Sequence, residues 1–407
     1  MSTNINNRNR QPKGTSKGGQ FAPETHATAP DDLDSAGNAA PDVVHSYPDG
    51  KPKREQWVDS NFDLDRADGP AFIEYNPDGN ISSERWYKNG YTHRDDGPAS
   101  IEYWQDGTTK SEQWYRNGQP HRVGAPSKTS YNPDGTIKKE EWHQNGEYHR
   151  NDGPADIIYG PDGSIRHEQW WQDGQWHRED GPANIRRYEN GNPRLEEWGQ
   201  NGKYHRTDGP AKITYFENGN IESEQWRING KYRRDDGGPT FKKYYENGNP
   251  QIETWYKDGK EHHDDGPAII AYREDGNIER EDWCKDGKPH RADGPAAAIY
   301  HKDGSIKKQE WRQNGQYHRT DGPAVIEYAP DGTIMAEEWY EDGQRHREND
   351  PAVTYYNQDG NIDHEEYWRN GKLHRNNGPA IVEYDENGDI ESEQWWRHNE
   401  LSAPPKQ

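Results

Sequence analysis

Residues 84–101 read E-R-W-Y-K-N-G-Y-T-H-R-D-D-G-P-A-S-I, and the same string, lightly varied, returns about every 28 residues along the chain. A histidine marks the interval at His93, His121, His149, His177, His205, His262, His290, His318, His346 and His374, with Arg233 in the sixth position. A tryptophan keeps the same spacing from Trp57 to Trp395, with Tyr367 in one position. A fixed period of this length predicts a tandem-repeat architecture in which each unit packs mainly on its neighbours.

The composition agrees with thin repeats. Only 27% of the 407 residues are hydrophobic, which is too few for one large core, yet 12% are aromatic, which is too many for ordinary disorder. The single cysteine, Cys284, excludes a disulfide framework and indicates a reducing compartment. Since no apolar run has the length of a membrane span or of a signal peptide, we expect a cytoplasmic protein with no membrane partner.

The charge restricts the partners. The formal net charge is −23, and residues 1–20 carry four basic residues and no acid, so the remaining 387 residues carry −27. Strong acidity argues against nucleic acid or an anionic membrane as the main partner. We therefore expect a protein partner with a basic surface, and self-association into a homo-oligomer stays open beside it.

Three segments are predicted. Residues 1–44 are rich in Asn, Gly, Ser, Pro and Ala without periodicity, which predicts a disordered leader. Residues 45–400 hold about 12–13 repeats, and residues 401–407 form a proline-containing tail.

Each repeat carries two hairpin signals. In Tyr75-Asn-Pro-Asp-Gly-Asn-Ile81, the Pro and Gly positions predict a type I turn with a G1 bulge, which would set Tyr75 opposite Ile81. The second signal, Asn89-Gly90, favours a two-residue type I′ turn. Counting outward from that turn, Tyr87 faces Thr92 and Trp86 faces His93, so the aromatic ring and the imidazole are predicted to form a cross-strand pair.

Asp96-Gly97-Pro98-Ala99 separates the two hairpins. Proline cannot donate to a strand ladder and glycine tolerates unusual backbone angles, so we expect a bend or bulge here and not a third reversal. The strand that follows alternates Ala99, Ile101 and Tyr103, which predicts one apolar face. The fold class is therefore all-β, an elongated array of antiparallel β-hairpins.

The pattern Glu84-x-Trp86-x-x-Asn89-Gly90-x-x-His93, followed by an aromatic strand and another Asp-Gly turn, resembles the MORN repeat and its bacterial antitoxin-like relatives of the YwqK group over residues 45–400. That resemblance implies hairpins stacked into one twisted sheet and a role as a scaffold or interaction module. The sequence departs from the MORN pattern in its longer period and in His-Arg-x-Asp-Gly-Pro-Ala. Residues 11–26 resemble an N-terminal motif of actinobacterial and actinophage proteins, which implies a host cytoplasm or a virion.

The repeated tryptophans and histidines are predicted to be structural, because an active site needs one convergent constellation and not ten copies. The signature residues are Trp86, His93, Trp114, His121, Trp142, His149, Trp170, His177, Trp198, His205, Trp283, His290, Trp311, His318, Trp339 and His346. Successive histidines, about 10 Å apart at two strands per repeat, lie too far apart to share a zinc ion. The turn aspartates match no calcium loop, and turn chemistry explains them. No metal or other cofactor is therefore expected.

No enzyme is expected either. The repeated Glu-x-Trp glutamates, such as Glu84, are interpreted as a ladder of ion pairs with the arginines of His-Arg, such as Arg94. Nothing resembles a nucleophile, a phosphate loop or a Cys-His pair. The leading hypothesis is a non-enzymatic scaffold for protein–protein interaction, antitoxin-like, immunity-like or phage-associated. The competing hypothesis is carbohydrate binding along the tryptophan ladder, flanked by Trp104, Trp171, Trp176, Trp368 and Trp396.

Overall fold

The computed structural model describes residues 40–403, and within that range every regular element is a β-strand. The predicted all-β fold class is thereby confirmed. The chain divides into two compact units, the first ending at Lys203 and the second beginning at Tyr204. The predicted leader, up to residue 39, and the last four residues of the predicted tail lie outside the described range.

Long hairpins form the frame of both units. Each joins a four-residue strand to a five-residue strand. In the first unit they are Val43–Ser46 with Pro52–Gln56, Phe72–Tyr75 with Ile81–Arg85, Ser100–Tyr103 with Thr109–Gln113, Lys128–Tyr131 with Ile137–Glu141, Asp156–Tyr159 with Ile165–Gln169, and Asn184–Arg187 with Pro193–Glu197.

The second unit repeats this arrangement. Its long hairpins are Lys212–Tyr215 with Ile221–Gln225, Phe241–Tyr244 with Pro250–Thr254, Ile269–Tyr272 with Ile278–Asp282, Ala297–Tyr300 with Ile306–Glu310, Val325–Tyr328 with Ile334–Glu338, Val353–Tyr356 with Ile362–Glu366, and Ile381–Tyr384 with Ile390–Gln394. Within each unit the five-residue strand of one repeat pairs antiparallel with the four-residue strand of the next, as Glu84 does with Ile101.

The long-hairpin register is the predicted one. Tyr75 pairs with Ile81 across a bulge, and Ile73 pairs with Glu84. The amide of Gly79 donates to the carbonyl of Asn76 at 2.9 Å, and Gly79 has a φ of 98°. A type I turn closed by a glycine in the left-handed region therefore fixes which side chains share a face of the sheet.

Short hairpins of two plus two residues branch from the end of the long strands. Their strands are Tyr87–Lys88 and Tyr91–Thr92, Tyr115–Arg116 and Gln119–Pro120, His143–Gln144 and Glu147–Tyr148, Trp171–Gln172 and Gln175–Trp176, Gly199–Gln200 and Lys203–Tyr204, Arg227–Ile228 and Lys231–Tyr232, Tyr256–Lys257 and Lys260–Glu261, Cys284–Lys285 and Lys288–Pro289, Arg312–Gln313 and Gln316–Tyr317, Tyr340–Glu341 and Gln344–Arg345, Trp368–Arg369 and Lys372–Leu373, and Trp396–Arg397 and Glu400–Leu401.

Turn geometry in the short hairpins also follows the prediction. Tyr87 pairs with Thr92, and both turn residues are left-handed, with φ of 51° at Asn89 and 75° at Gly90. Trp86 joins the two elements, because its amide donates to the carbonyl of Ala99 at 2.8 Å and its carbonyl accepts from the amide of His93 at 3.0 Å. Each repeat therefore makes two reversals, and the Asp-Gly-Pro-Ala segment is the predicted bend.

The core is a narrow strip at this junction. The residue after the proline of the bend is an alanine with no exposed surface in ten repeats, and the buried Ser127 and Thr240 replace it in two others. In the first repeat, Ala71, Ile73 and Trp57 form a buried cluster against which Tyr75 and Ile81 pack. The chain has too few hydrophobic residues for one large core. Burial of such a strip in every repeat supplies the hydrophobic free energy that stabilises the fold.

Candidate functional site

In ten repeats the signature aromatic ring, a tryptophan in nine and Tyr367 in one, is covered by an arginine of its own repeat. The guanidinium Cζ of Arg94 lies 4.2 Å from the centroid of the Trp86 ring, and nine further pairs lie at 3.7–4.2 Å. His263 stacks on Trp255 in place of an arginine. The predicted cross-strand pairing of Trp86 with His93 is present in the backbone, where the amide of His93 donates to the carbonyl of Trp86 at 3.0 Å. Cation–π contact of this kind stabilises the narrow buried core of each repeat and shields one face of the indole ring from solvent.

The same arginine explains the Asp-Gly-Pro segment. Nε of Arg94 donates to Asp96 at 3.0 Å, and Nη1 donates to the carbonyl of Pro98 at 3.4 Å. A Cβ added at Gly97 would lie 2.6 Å from Cζ of Arg94. Gly97 is outside the set of positive-φ glycines, so a side chain here would meet the close guanidinium and displace it, and no unusual backbone angle is involved.

The histidines bind the next repeat. Nδ1 of His93 accepts the backbone N–H of Asn117, the first turn residue of the following short hairpin, at 3.1 Å. We call each such contact a His–turn junction. The other nine join His121 to Asn145, His149 to Asp173, His177 to Asn201, His205 to Asn229, His262 to Asp286, His290 to Asn314, His318 to Asp342, His346 to Asn370 and His374 to His398, at 3.1–3.4 Å.

Tyrosines and glutamates form a second contact between repeats. The hydroxyl of Tyr103 donates to Oε2 of Glu84 at 2.7 Å, and Tyr300 donates to Glu281 at the same distance. Burial is the largest cause that raises the pKa of Tyr300 to about 12, followed by this hydrogen bond. Burial also raises the pKa of Glu84. The predicted ladder of Glu–Arg ion pairs is corrected by these contacts, because Arg94 pairs with Asp96 while Glu84 accepts from a tyrosine.

One face of the sheet is thus constant between repeats. We define the constant face by the positions equivalent to Glu84, Trp86, Ala99, Ile101 and Tyr103, together with the arginine that covers the tryptophan. Its side chains are occupied by contacts within or between repeats. Within each unit, the signature histidines and the arginine-covered aromatic rings make the same contacts in successive repeats.

The opposite face varies. We define the variable face by the positions equivalent to Phe72, Glu74, Ser83 and Arg85 in the long hairpins, and by those of Tyr87 and Thr92 in the short hairpins. Alternate strand residues project to one side, so the first four share a face. The Ser83 position illustrates the variation, because it holds Ser83, Ser111, Lys139, His167, Leu195, Ser223, Ile252, Arg280, Lys308, Ala336, His364 and Ser392.

In the first unit, aromatic side chains follow one another across repeats on this face. His143 contacts Tyr148 with ring centroids 4.1 Å apart, and Tyr148 contacts Trp171 of the next repeat at 5.6 Å. The hydroxyl of Tyr148 donates to Glu141 at 2.6 Å, which ties the short hairpin to the long one. A Cβ at Gly199 would lie 2.5 Å from the Trp176 ring, so the absence of a side chain there lets that indole pack flat.

The second unit has the same ladder with other residues. Tyr317 and Tyr340 lie 4.9 Å apart, and Arg345 lies 5.4 Å from the ring of Trp368. Nε1 of Trp368 donates to Glu366 at 2.7 Å, and Tyr340 donates to Glu338 at the same distance. This ladder is distinct from the signature tryptophans, and its members differ in type from repeat to repeat.

Charged side chains are distributed unevenly between the variable face and the Asp-Gly-Pro bends. From Phe72 to Leu401, the variable-face positions hold eleven basic and twelve acidic residues, so this face is nearly neutral. Exposed carboxylates lie in the bends, where six aspartates that pair with the arginine of the same bend are 82–85% exposed: Asp96, Asp152, Asp180, Asp208, Asp293 and Asp321. The hydrogen bond from Arg319 lowers the pKa of Asp321. The variable face is thus close to charge-balanced, and the exposed carboxylates of the bends lie outside the positions that define it.

Within residues 40–403, no cluster of three or more His, Cys, Asp or Glu side chains is placed to hold a metal ion. Burial raises the pKa of the Cys284 thiol to about 11, which keeps it a thiol near neutral pH. None of the described elements is a helix of the length and apolarity needed to span a membrane.

Comparison with known proteins agrees with the repeat pattern. Residues 240–260 match a family model described as a MORN repeat variant, which supports a MORN-like repeat and, with it, a repeat scaffold. No curated protein sequence matches the chain.

Several solved structures overlap with the chain at low similarity. Alternansucrase in complex with isomaltononaose is 15% identical, with a TM-score of 0.19 over 72% of this chain and 18% of that one. TcdB2–TccC3 without its hypervariable C-terminal region is 12% identical, with a TM-score of 0.11 over 87% and 23%. The Tc holotoxin pore of Photorhabdus luminescens is 10% identical, with a TM-score of 0.10 over 88% and 24%. The chain spans less than a quarter of each, and at these TM-scores the overlaps define neither fold nor function.

Proposed function

We propose that this chain is a non-enzymatic repeat scaffold that binds another protein through the variable face. The observation that carries the proposal is the contrast between the two faces. Residue types recur on the constant face, where their contacts between repeats demand them. They change freely on the variable face, as at the position of Ser83. Repeat arrays present extended surfaces of this kind, in which framework positions hold the fold and the remaining positions choose the partner.

The chemistry of the variable face suggests what the partner offers. Tyrosine, tryptophan and arginine dominate the centres of protein interfaces, and here they occupy the ladder that includes Tyr317, Tyr340, Arg345 and Trp368. The chain is strongly acidic, with exposed aspartates in its bends. We therefore propose a protein partner with an apolar centre and basic residues around it. By resemblance to antitoxin-like relatives, this partner is a toxin, a defence component or, for a phage-encoded chain, a virion protein.

Carbohydrate binding is the second candidate. Trp171 and Trp368 are half-buried on the variable face, and planar rings can stack on sugars. The signature tryptophans offer less to a sugar, because a guanidinium or an imidazole covers one face of their rings. This cover supports the protein-binding proposal, and we propose a structural role for the repeated tryptophans and histidines.

An alanine scan with matched controls tests the proposal. The scan changes Arg186, Lys243, Glu327 and Tyr355, one at a time, at the variable-face position of Glu74. The control substitutions change Lys138 and Lys307. These two lysines are exposed and lie on the side of the sheet opposite the variable face, because successive strand residues project to alternate sides. For a partner captured from the source cell, we expect at least one scan variant to weaken the measured Kd by tenfold or more, about 1.4 kcal/mol.

The controls make the result specific. Both control variants should bind like the unaltered chain, and all six variants should keep its melting temperature. If the four scan variants bind unchanged, or if only the controls lose affinity, the variable face is not the binding surface. Retention on a neutral polysaccharide with loss in the same scan variants would favour the carbohydrate candidate.

A further inference from the structure

Backbone hydrogen bonds tie the turn of almost every short hairpin to the repeat before it. In a regular contact, the N–H of Asn314 binds Nδ1 of His290 at 3.2 Å, and the N–H of Gly315 binds the carbonyl of Pro289 at 2.8 Å. Within residues 40–403, the short hairpins from Tyr87–Lys88 onward all make this pair of bonds, with one exception.

The exception is the short hairpin whose turn residues are Asp258 and Gly259. In the preceding repeat the histidine position holds Arg233, and a guanidinium has donors only and cannot accept an N–H. Among the described residues, neither turn N–H of this hairpin binds Arg233 or Tyr232. We call this contact the Arg233 junction. The tips of its two short hairpins are not tied to each other.

An inserted residue lies at the same place. The bend after Arg234 reads Asp236-Gly237-Gly238-Pro239, one residue longer than Asp-Gly-Pro. A Cβ at Gly238 would lie 2.6 Å from Cζ of Arg234, so Gly238 is the regular glycine of the bend and Gly237, with φ of 78°, is the extra one. The carbonyl of Gly237 accepts from Nε1 of Trp255 at 3.0 Å, a contact that the regular bends do not make.

The long hairpins remain joined beside this gap. Lys242 pairs with Glu224 in the sheet, and the hydroxyl of Tyr244 donates to Glu224 at 2.6 Å. The two short hairpins touch through the rings of Tyr232 and Tyr256, which stack with centroids 4.7 Å apart. A continuous sheet, one stacked pair and two untied tips make this junction the place where the layer of short hairpins opens most easily.

The residue at the gap is also the most accessible of its series. The side chain of Arg233 is 63% exposed, whereas histidines at the same position are 8–20% exposed, as shown by His93, His149, His177, His262, His318 and His346. Its partner is the exposed Asp235, at 2.7 Å, and a surface ion pair of this kind contributes little to stability. Arg234 follows directly and covers the ring of Trp226 at 4.2 Å.

We propose that the short hairpins separate at the Arg233 junction, and that this opening makes the Arg233–Arg234 pair a processing site for a protease specific for basic residues. Such a protease holds a cationic side chain in an acidic pocket and cleaves a segment that opens locally from the fold. Cleavage breaks the amide between the carbonyl carbon of Arg233 and the nitrogen of Arg234. Water supplies the hydroxyl group of the new carboxyl terminus and the hydrogen of the new amino terminus.

Limited digestion of the folded full chain with trypsin tests this site. Within residues 40–403, we expect the first cut to follow Arg233 or Arg234, as identified by the masses of the fragments. Arg206 and Arg291 occupy the position of Arg234 in regular repeats and serve as internal comparisons. They should be cut about tenfold more slowly or less, because two further hydrogen bonds hold their hairpins closed and the cleavage rate follows the open population.

Two variants separate the junction from the cleavage sequence. Arg233→His with Gly237 deleted restores both the acceptor and the 28-residue interval and keeps Arg234, so cleavage at this pair should slow about tenfold. Arg233→Lys keeps a basic residue without an acceptor and should be cut like the unaltered chain. Unchanged cleavage in the first variant, or equally fast cleavage after Arg234 and Arg291 in the unaltered chain, would overturn the proposal.

Amide hydrogen exchange measures the opening without a protease. The amide of Arg233 donates to the carbonyl of Trp226 at 3.2 Å, as the amides of His290 and His318 do to the tryptophans of their own repeats at 2.8 and 3.1 Å. After correction for intrinsic exchange, protection of the Arg233 amide should be about tenfold lower than that of the two histidine amides. Equal protection of the three would contradict a local opening. This measurement needs only the unaltered chain, so it decides the point even where a variant fails to fold.

Discussion

At the scale of the residue, one arginine accounts for most of the recurring motif. In the repeat of Trp311, the guanidinium of Arg319 lies 4.0 Å from the ring centroid, donates to Asp321 at 2.9 Å and donates to the carbonyl of Pro323 at 3.2 Å. The aspartate, the glycine and the proline of the bend are therefore all explained by a cation that they surround. A lysine could not make these contacts together, because it lacks the planar fork of donors.

Replacing the glycine of the bend tests this account. A Cβ at position 322 would lie 2.7 Å from Cζ of Arg319, so Gly322→Ala must displace the guanidinium from Trp311. We expect a loss of about 1–3 kcal/mol in the free energy of unfolding, measured by denaturant titration. In an Arg319→Ala background the same substitution should cost much less. Equal costs in the two backgrounds would contradict the role assigned to the guanidinium.

Sequence alone predicted the backbone better than the side-chain contacts. The pairings of Tyr75 with Ile81 and of Tyr87 with Thr92 follow from turn chemistry, which is local. That Arg94 lies over the ring of Trp86 depends on how the chain bends after the short hairpin, which no local rule determines. The bond from Asn117 to His93 spans 24 residues and exists only once the repeats are stacked.

The variable face was missed for a different reason. Its residues differ in identity from repeat to repeat. A search for recurring residues therefore does not detect them and finds only flanking tryptophans such as Trp171 and Trp368. Comparing the repeats position by position gives the signal, since alternate positions of the same strand are uniform on one face and diverse on the other.

At the scale of the element, tyrosine–glutamate bonds join each long hairpin to the next. Burial and the bond to Glu281 hold the pKa of Tyr300 at about 12, above the usual value near 10. A group whose folded pKa is raised contributes stability that is complete below the unfolded pKa and lost as the pH rises through the folded one. We therefore expect the unfolding midpoint to fall between about pH 10 and 12.

Tyr300→Phe provides the control for that alkaline transition. The variant should be less stable at neutral pH by about 1 kcal/mol, because Glu281 loses a donor. Its midpoint should then depend less on pH between 10 and 12 than that of the unaltered chain, as measured by chemical denaturation at each pH. Identical pH dependence in both proteins would show that the hydroxyl of Tyr300 does not titrate as proposed.

At the scale of the whole molecule, charge should govern how fast a partner arrives. The chain from residue 21 onward carries −27, and the bends between its hairpins hold exposed aspartates such as Asp321. A basic partner should therefore associate faster at low ionic strength, with a rate that falls as salt screens the attraction. Measuring the association rate at low and high salt tests this expectation. An association rate that does not change with salt concentration would favour a neutral ligand such as a polysaccharide.

The His–turn junctions also have a kinetic consequence. They span 24 residues, and the tyrosine–glutamate bonds span 19 or 20, in a chain of 407. Contacts of that range are about 0.05–0.06 of the chain length, whereas all-β sandwiches and barrels typically reach about 0.16–0.22 and helical bundles about 0.07–0.12. The entropy of closing each loop is thus no greater for the last repeat than for the first. A protein whose described elements are all strands should fold at rates typical of helical bundles, by growth from whichever repeat forms first.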